Sequence, residues 1–242
     1  MTLSVWCQTD VGLRREVNQD SFLIDEDLGL YVVADGMGGH RGGEIASAMA
    51  VETVREIVIT HGDRVRAGAD LLTIAYREAS LRIFNRSQRE PDECRGMGTT
   101  LVTALCRNGV MFLGNVGDSR AYLFRAPYIW QLTEDHSLIN EQLRAGLLRE
   151  EDVAGFGARN IITRSVGYEA QVQVDVFERP MQVGDVYLIC SDGLSGLVSD
   201  EDIADILNTA PPSKVVKEAI KAAKARGGDD NITVMVIYVT ES

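Results

Sequence analysis

Residues 99–132 read TTLVTALCRNGVMFLGNVGDSRAYLFRAPYIWQL, and the pattern of this stretch decides the fold class. Apolar runs at 99–107, 110–116, 119–124 and 128–132 are rich in Val, Leu, Ile and aromatic residues and read as strands. The gaps between them are too short for a crossover helix, so consecutive strands are expected to pair antiparallel. Further strands are expected outward from this stretch at 3–9, 21–24, 30–34, 172–178, 185–190 and 231–239. A helix is expected at 43–60, where Ile45, Ala48, Met49, Val54, Ile57 and Val58 recur at helical spacing. Others are expected at about 69–88, 137–147, 200–209 and 213–226, with Pro211-Pro212 separating the last two and starting the second. Two long helices precede the four strands, which is not the strict alternation of a parallel sheet. The expected class is therefore α+β, with antiparallel sheets inside and helices outside. Residues 139–168, with Gly155-Phe156-Gly157 and scattered charge, read as an excursion from this core.

At 242 residues and 45% hydrophobic content the chain can bury a large core without disulfides. One domain is expected, since no repeat, low-complexity run or Pro/Ser-rich linker divides it. No apolar run approaches the ~20 residues that span a bilayer, and the start, Met1 to Trp6, has no basic region or cleavage pattern. A cytoplasmic location is expected. Cys7, Cys94, Cys106 and Cys190 show no C-x-x-C spacing and read as reduced thiols. None has Arg six positions on, which excludes the phosphate cradle of a cysteine phosphatase. The net charge of −12 comes without a basic stripe, so nucleic acid is not an expected partner.

The acidic residues fall in a repeated place. Asp35-Gly36 ends an apolar run, Gly117-Asp118 ends another, and Ser191-Asp192-Gly193 follows a third. Gly227-Gly228-Asp229-Asp230-Asn231 precedes the strand read at Ile232–Val239, and Asp20 precedes 21–24. Each alone is an ordinary turn signal. Together they are expected to gather where antiparallel strands of one sheet end on a common edge. Carboxylates so close repel unless cations separate them. Hard oxygen ligands without His or Cys suit Mg²⁺ or Mn²⁺. With three histidines and no HExxH, zinc is not indicated. Two divalent ions in such a set can activate a water and clamp a phosphoryl oxygen. An arginine should stand nearby to bind the phosphoryl charge, and Arg14 and Arg15 are the candidates. Other chemistries lack their residues: there is no Walker loop, Arg41 sits where G-x-G-x-x-G needs its last glycine, and Gly193-Leu194-Ser195-Gly196 is not G-x-S-x-G.

Eight segments, in order, resemble the metal-dependent protein phosphatases, the type-2C serine/threonine family, and within it the bacterial standalone members. They are Thr9-Asp10-Val11-Gly12 with Arg15-x-x-Asn18-Gln19-Asp20; Val33-Ala34-Asp35-Gly36-Met37-Gly38-Gly39-His40; Gly96-Met97-Gly98-Thr99-Thr100; Gly114-Asn115-Val116-Gly117-Asp118-Ser119-Arg120; Leu132-Thr133-x-Asp135-His136-Ser137; Ile162-Thr163-Arg164-Ser165-Val166-Gly167; Ser191-Asp192-Gly193-Leu194; and Asp230-Asn231-Ile232-Thr233-Val234. The resemblance implies a central antiparallel β-sandwich flanked by pairs of antiparallel helices, a four-layer αββα arrangement. It implies one phosphatase domain over 1–242 with a flap at about 139–168. It implies two Mn²⁺ or Mg²⁺ ions, with Asp35 bridging both, the Gly36 carbonyl on one, and Asp192 and Asp230 on the other. Asp20 would orient metal-bound water, Arg15 would grip the phosphate, and Asp118 with Asp192 would hold a weak third ion.

Two positions depart from the family. Gln19 stands where many members have Glu, and Met37 stands where animal members have a histidine after Asp-Gly; the nearest histidine here is His40. The expected substrates are phosphoserine and phosphothreonine in proteins, set by a bacterial serine/threonine kinase whose action this chain would oppose. A degenerate phosphoprotein-binding module would have lost a metal aspartate, and Asp35, Asp192 and Asp230 are all present. A two-metal hydrolase of small phosphoesters is the remaining alternative, which the flap would decide.

Overall fold

The computed structural model describes residues 1–38, 42–65, 67–155 and 161–241. Eleven strands form two antiparallel sheets among these residues. The first sheet runs β1 (Thr2–Asp10), β11 (Ile232–Thr240), β10 (Val186–Cys190), β7 (Arg120–Arg125), β8 (Tyr128–Gln131). The second runs β2 (Asp20–Asp25), β3 (Leu30–Met37), β5 (Leu101–Arg107), β6 (Val110–Val116), β9 (Asp175–Pro180), with the short β4 (Gly98–Thr99) against the end of β3.

Side-chain alternation along each strand assigns its two faces. On β3, Tyr31 and Val33 meet Leu123, Tyr187, Ile189, Met235 and Ile237 of the first sheet. Leu30, Val32 and Ala34 on the opposite face of β3 meet α1 (Gly42–His61) and α2 (Gly68–Arg89). On β11, Met235 and Ile237 face the second sheet, while Val234 and Val236 meet α6 (Asp200–Thr209) and α7 (Pro212–Ala225). Both faces of the central strands are thus buried, which is why these strands read as unbroken apolar runs rather than alternating ones. The result is the expected four-layer α+β sandwich.

Several expectations change in detail. The run at 99–107 is two strands, because Thr100 turns out of the ladder to bond Asp35: Thr100 N–H donates to the Asp35 carbonyl at 2.8 Å, and its Oγ1 accepts the Asp35 N–H at 2.9 Å. The four strands of residues 99–132 do not all pair with their neighbours. β5 pairs β6 through Asn108-Gly109, both at positive φ as a two-residue hairpin turn requires. β7 pairs β8. Between them Gly117, at φ 105°, carries the chain from the second sheet to the first. β9 begins at Asp175, not 172, because Val172 is buried in the cluster beneath α1 and α2 before pairing starts. Two helices had no sequence signal, α3 (Pro91–Cys94) and α5 (Asp192–Ser195), each too short for a helical repeat. The excursion expected at 139–168 opens on α4 (Leu138–Arg144), started by the Ser137 cap, and carries a 3-10 turn at Glu150–Gly155. Among the described residues no helix is long and apolar enough to cross a membrane.

Candidate metal centre

Strand register brings the first two carboxylates together. Asp20 on β2 and Asp35 on β3 are directly opposed, so their side chains share a face. The other sheet supplies two more: Asp192 opens α5 directly after β10, and Asp230 stands just before β11, the strand paired with β10. Asp118 lies in the crossing between the sheets. The expectation that one sheet collects the aspartates is therefore corrected. Both sheets of the sandwich end here, and adjacent strands of each contribute.

The electrostatics record how close these groups are. Asp35 is held well above the usual carboxylate range, first by burial and then by the charges of Asp20, Asp192, Asp118 and Asp230. Burial pushes Asp118 up to about 7, with Asp192 and Asp135 adding to it. Asp192 is raised by burial and by Asp230. Asp20 is raised to about 6 by burial, against the opposing pull of two hydroxyl donors. Those donors are Thr233 Oγ1 at 2.6 Å and Ser191 Oγ at 2.9 Å, both on Asp20 Oδ2.

Three oxygens at the site remain buried with no hydrogen-bond partner: Oδ1 of Asp20, Asp118 and Asp192. Buried polar atoms are normally satisfied, so unpartnered carboxylate oxygens on neighbouring residues are unexplained by protein contacts alone. Hard divalent cations account for them by chemistry, and no nitrogen or sulfur donor stands in the set. Among the described residues no three His, Cys, Asp or Glu side chains close on a single point as ligands. The arrangement is a cradle of neighbouring carboxylates rather than a closed cage, and its donor set fits Mn²⁺ or Mg²⁺.

Arg15 faces this cradle. Its Nη2 lies 2.8 Å from Asp230 Oδ2, and the fields of Asp230, Asp35 and Asp192 all raise its pKa. Arg14 instead points outward to Asp229 at 3.7 Å, both largely exposed. The loop carrying them is fixed by Asn231. Its Nδ2 donates to the carbonyls of Val11 and Val17 at 3.0 Å, and its Oδ1 accepts the Gln19 N–H at 2.8 Å. Gly12, at φ +82°, lets this loop lie on the Asp230 backbone, where an added Cβ would sit 2.2 Å from the Asp230 carbonyl oxygen. Gly36 is equally confined, since a Cβ there would meet the Gly43 carbonyl at 2.0 Å. The Gln19 side chain packs against Gly43. His40 lies outside the described residues, as does the central part of the flap at 156–160.

Sequence reasoning quoted several residues here without giving them work. Thr100 Oγ1 bonds Ser119 Oγ at 2.7 Å besides accepting the Asp35 N–H, so it links the neighbour of Asp118 to Asp35. Ser191 and Thr233 fix Asp20 as described. His136 Nδ1 accepts the Gly117 N–H at 3.0 Å, which assigns the proton to Nε2, 3.0 Å from Asp175 Oδ2. Burial lowers the His136 pKa, with Arg164 adding to the effect. Arg164 donates to Asp175 Oδ1 at 2.9 Å. All but Asp175 lie in the quoted segments; the signal that could have found them is that they flank the aspartates in those segments.

The model of the family described as protein phosphatase 2C matches residues 13–227. The serine/threonine phosphatase stp of Listeria monocytogenes is 38% identical over 95% of this chain and 93% of that protein. The crystal structure of the Mycobacterium tuberculosis serine/threonine phosphatase PstP/Ppp superposes with a TM-score of 0.90 at 32% identity, covering 100% of both chains. A structure of the PstP catalytic domain in complex with two manganese ions superposes with a TM-score of 0.87 at 33% identity, covering 99% of both chains. With a family match over most of its length and relatives above 30% identity across nearly all of it, this chain belongs to the protein phosphatase 2C family and is a metal-dependent phosphatase.

Proposed function

We propose that this chain hydrolyses phosphoserine and phosphothreonine in other proteins and so opposes a serine/threonine kinase in a bacterial cytoplasm. The observation that carries this is the cradle of carboxylates with unpartnered oxygens, faced by a guanidinium. Residues 1–242 act as one phosphatase domain, with the flap at about 139–168 beside the site. Asp35, the Gly36 carbonyl, Asp192 and Asp230 would hold two Mn²⁺ or Mg²⁺ ions, and Asp118 with Asp192 would hold a weak third. When bound, such ions activate a water nucleophile and neutralise the phosphoryl charge.

The chain's own groups supply orientation. With its Oδ2 fixed by Ser191 and Thr233, Asp20 keeps Oδ1 free of protein partners, where it would accept from a water nucleophile and orient it. Arg15 has five N–H donors, and one nitrogen rests on Asp230, so the others are available to phosphate oxygens. His40 is the candidate donor of a proton to the departing serine or threonine oxygen.

The test is turnover of p-nitrophenyl phosphate with Mn²⁺, Mg²⁺ or EDTA, followed by a phosphothreonine peptide. Hydrolysis of both that EDTA abolishes is expected. Turnover unaffected by chelation would overturn the mechanism.

A further inference from the structure

A cleft of about 590 Å³ lies beside the carboxylate cradle. One wall includes Met37, two residues beyond Asp35 on β3 and on the same face of that strand, so the cleft lies next to the cradle. Another wall is the end of the flap and the turn that leaves it, with Arg164, Tyr168, Glu169 and Gln171.

This wall is held in place. Ser80 Oγ accepts the Gly167 N–H at 2.9 Å and donates to the Glu169 carbonyl at 2.7 Å, and Val172 is buried beneath the turn. Tyr168 is nevertheless 66% exposed, an aromatic face on a fixed backbone with water as its main neighbour. The charges on the wall are unequally matched. Arg164 is paired with Asp175 at 2.9 Å. Glu169 forms no ion pair among the described residues; it also borders the groove behind the turn, where Arg77 stands without bonding it.

From this geometry we propose that the cleft binds the polypeptide flanking the phosphorylated residue and selects an arginine there, the guanidinium lying on the Tyr168 ring and against Glu169. The proposal rests on the phosphatase reading above and names the substrate sequence that the site prefers. Arginine fits better than lysine because its planar fork both stacks on an aromatic face and matches a carboxylate. An acidic flanking residue is disfavoured by the unmatched Glu169 and by a chain of net charge −12.

The experiment compares phosphothreonine peptides carrying Arg, Lys, Ala or Glu at each of the positions flanking the phosphothreonine, with Mn²⁺ present. For at least one position, kcat/KM for Arg is expected to exceed that for Ala by about 3- to 30-fold, the combined range for an exposed ion pair and a cation–π contact. Glu169→Lys should abolish or invert that preference, and Tyr168→Leu should narrow the gap between Arg and Lys. Both side chains are exposed, and neither touches the carboxylates, so p-nitrophenyl phosphate turnover should be unchanged in both variants. A wild type indifferent to flanking residues, or a preference that survives Glu169→Lys, overturns the cleft assignment alone. A wild type inert on every phosphoester with Mn²⁺ overturns the phosphatase reading and this one with it.

Discussion

At the scale of single residues, the site works by dividing the two oxygens of a carboxylate between different tasks. Asp20 Oδ2 is held by two hydroxyls, and Oδ1 is left without a protein partner. Arg15 is divided in the same way, one nitrogen on Asp230 and the others available to a phosphate. Its contact with phosphate exists before and during the reaction, so Arg15→Ala should raise KM more than it lowers kcat. Charge-assisted contacts of this kind are worth about 1.5–3 kcal/mol, or about 10- to 150-fold in kcat/KM. Arg14→Ala should leave both constants near wild type, because its partner Asp229 is exposed and outside the cradle. Steady-state kinetics on one phosphopeptide separate the two, and the reverse outcome would place the phosphate grip one residue earlier. His40 is tested by the leaving group. A serine alkoxide needs a proton as it departs, which a general acid supplies at about 10²–10⁴-fold advantage, whereas p-nitrophenolate leaves unaided. His40→Ala should therefore slow phosphoserine peptides far more than p-nitrophenyl phosphate if it is the donor. Equal effects on both substrates would move that role elsewhere.

At the scale of elements, the strands and long helices were legible because each is long enough to show its period. β11 is apolar from Val234 to Ile237 since both of its faces are buried, and α7 repeats Val215, Val216, Ala219, Ile220 and Ala223 on one face. What could not be seen was pairing. Nothing in Gly117-Asp118-Ser119 distinguishes a hairpin turn from a crossing between sheets, because both need a short turn and a glycine. The difference lies in long-range partners, β9 for β6 and β10 for β7. Likewise the break at Thr100 has no local signal; it follows from what Asp35 needs. That break makes a prediction. Thr100→Val keeps the shape but leaves the Asp35 N–H and the Ser119 hydroxyl without their partner in a buried setting. The cost is about 1–3 kcal/mol, a fall in Tm of roughly 2–4 °C per kcal/mol at this chain length. Thr100→Ser, which retains the hydroxyl, should recover most of it. Thermal denaturation of the two variants reads the difference, and a Thr100→Val protein as stable as wild type would remove Thr100 from the site's framework.

At the scale of the whole molecule, the fold brings together charges that do not favour folding by themselves. Two sheets end at one place, and their aspartates were recognisable in sequence as a repeated pattern, although which sheet carried each was not. The physical consequence is a pH dependence whose sign can be worked out. Asp20 and Asp118 titrate near 6 and 7 in the fold, against about 4 for a free carboxyl. A carboxyl whose folded pKa is raised binds its proton more tightly in the native state. Its contribution to stability is complete below about pH 4 and is lost as pH rises toward 7. His136 acts oppositely over part of this window, since its lowered pKa costs stability as pH falls. A single-charge substitution separates the two. Asp192→Asn removes one member of the cradle without changing its volume, and His136 is common to both proteins. In EDTA the variant should melt above wild type at pH 8, where the neighbouring carboxylates are ionised and repel. The gain should shrink toward pH 5, where neighbours such as Asp20 and Asp118 already carry protons. With Mn²⁺ added the order should reverse, because the ion stabilises the protein that holds it more tightly. Melting temperatures of both proteins across pH 5–8, with EDTA and with Mn²⁺, test this. A difference independent of pH and of metal would mean that Asp192 is only a first-turn residue of α5 whose charge the neighbouring aspartates do not feel.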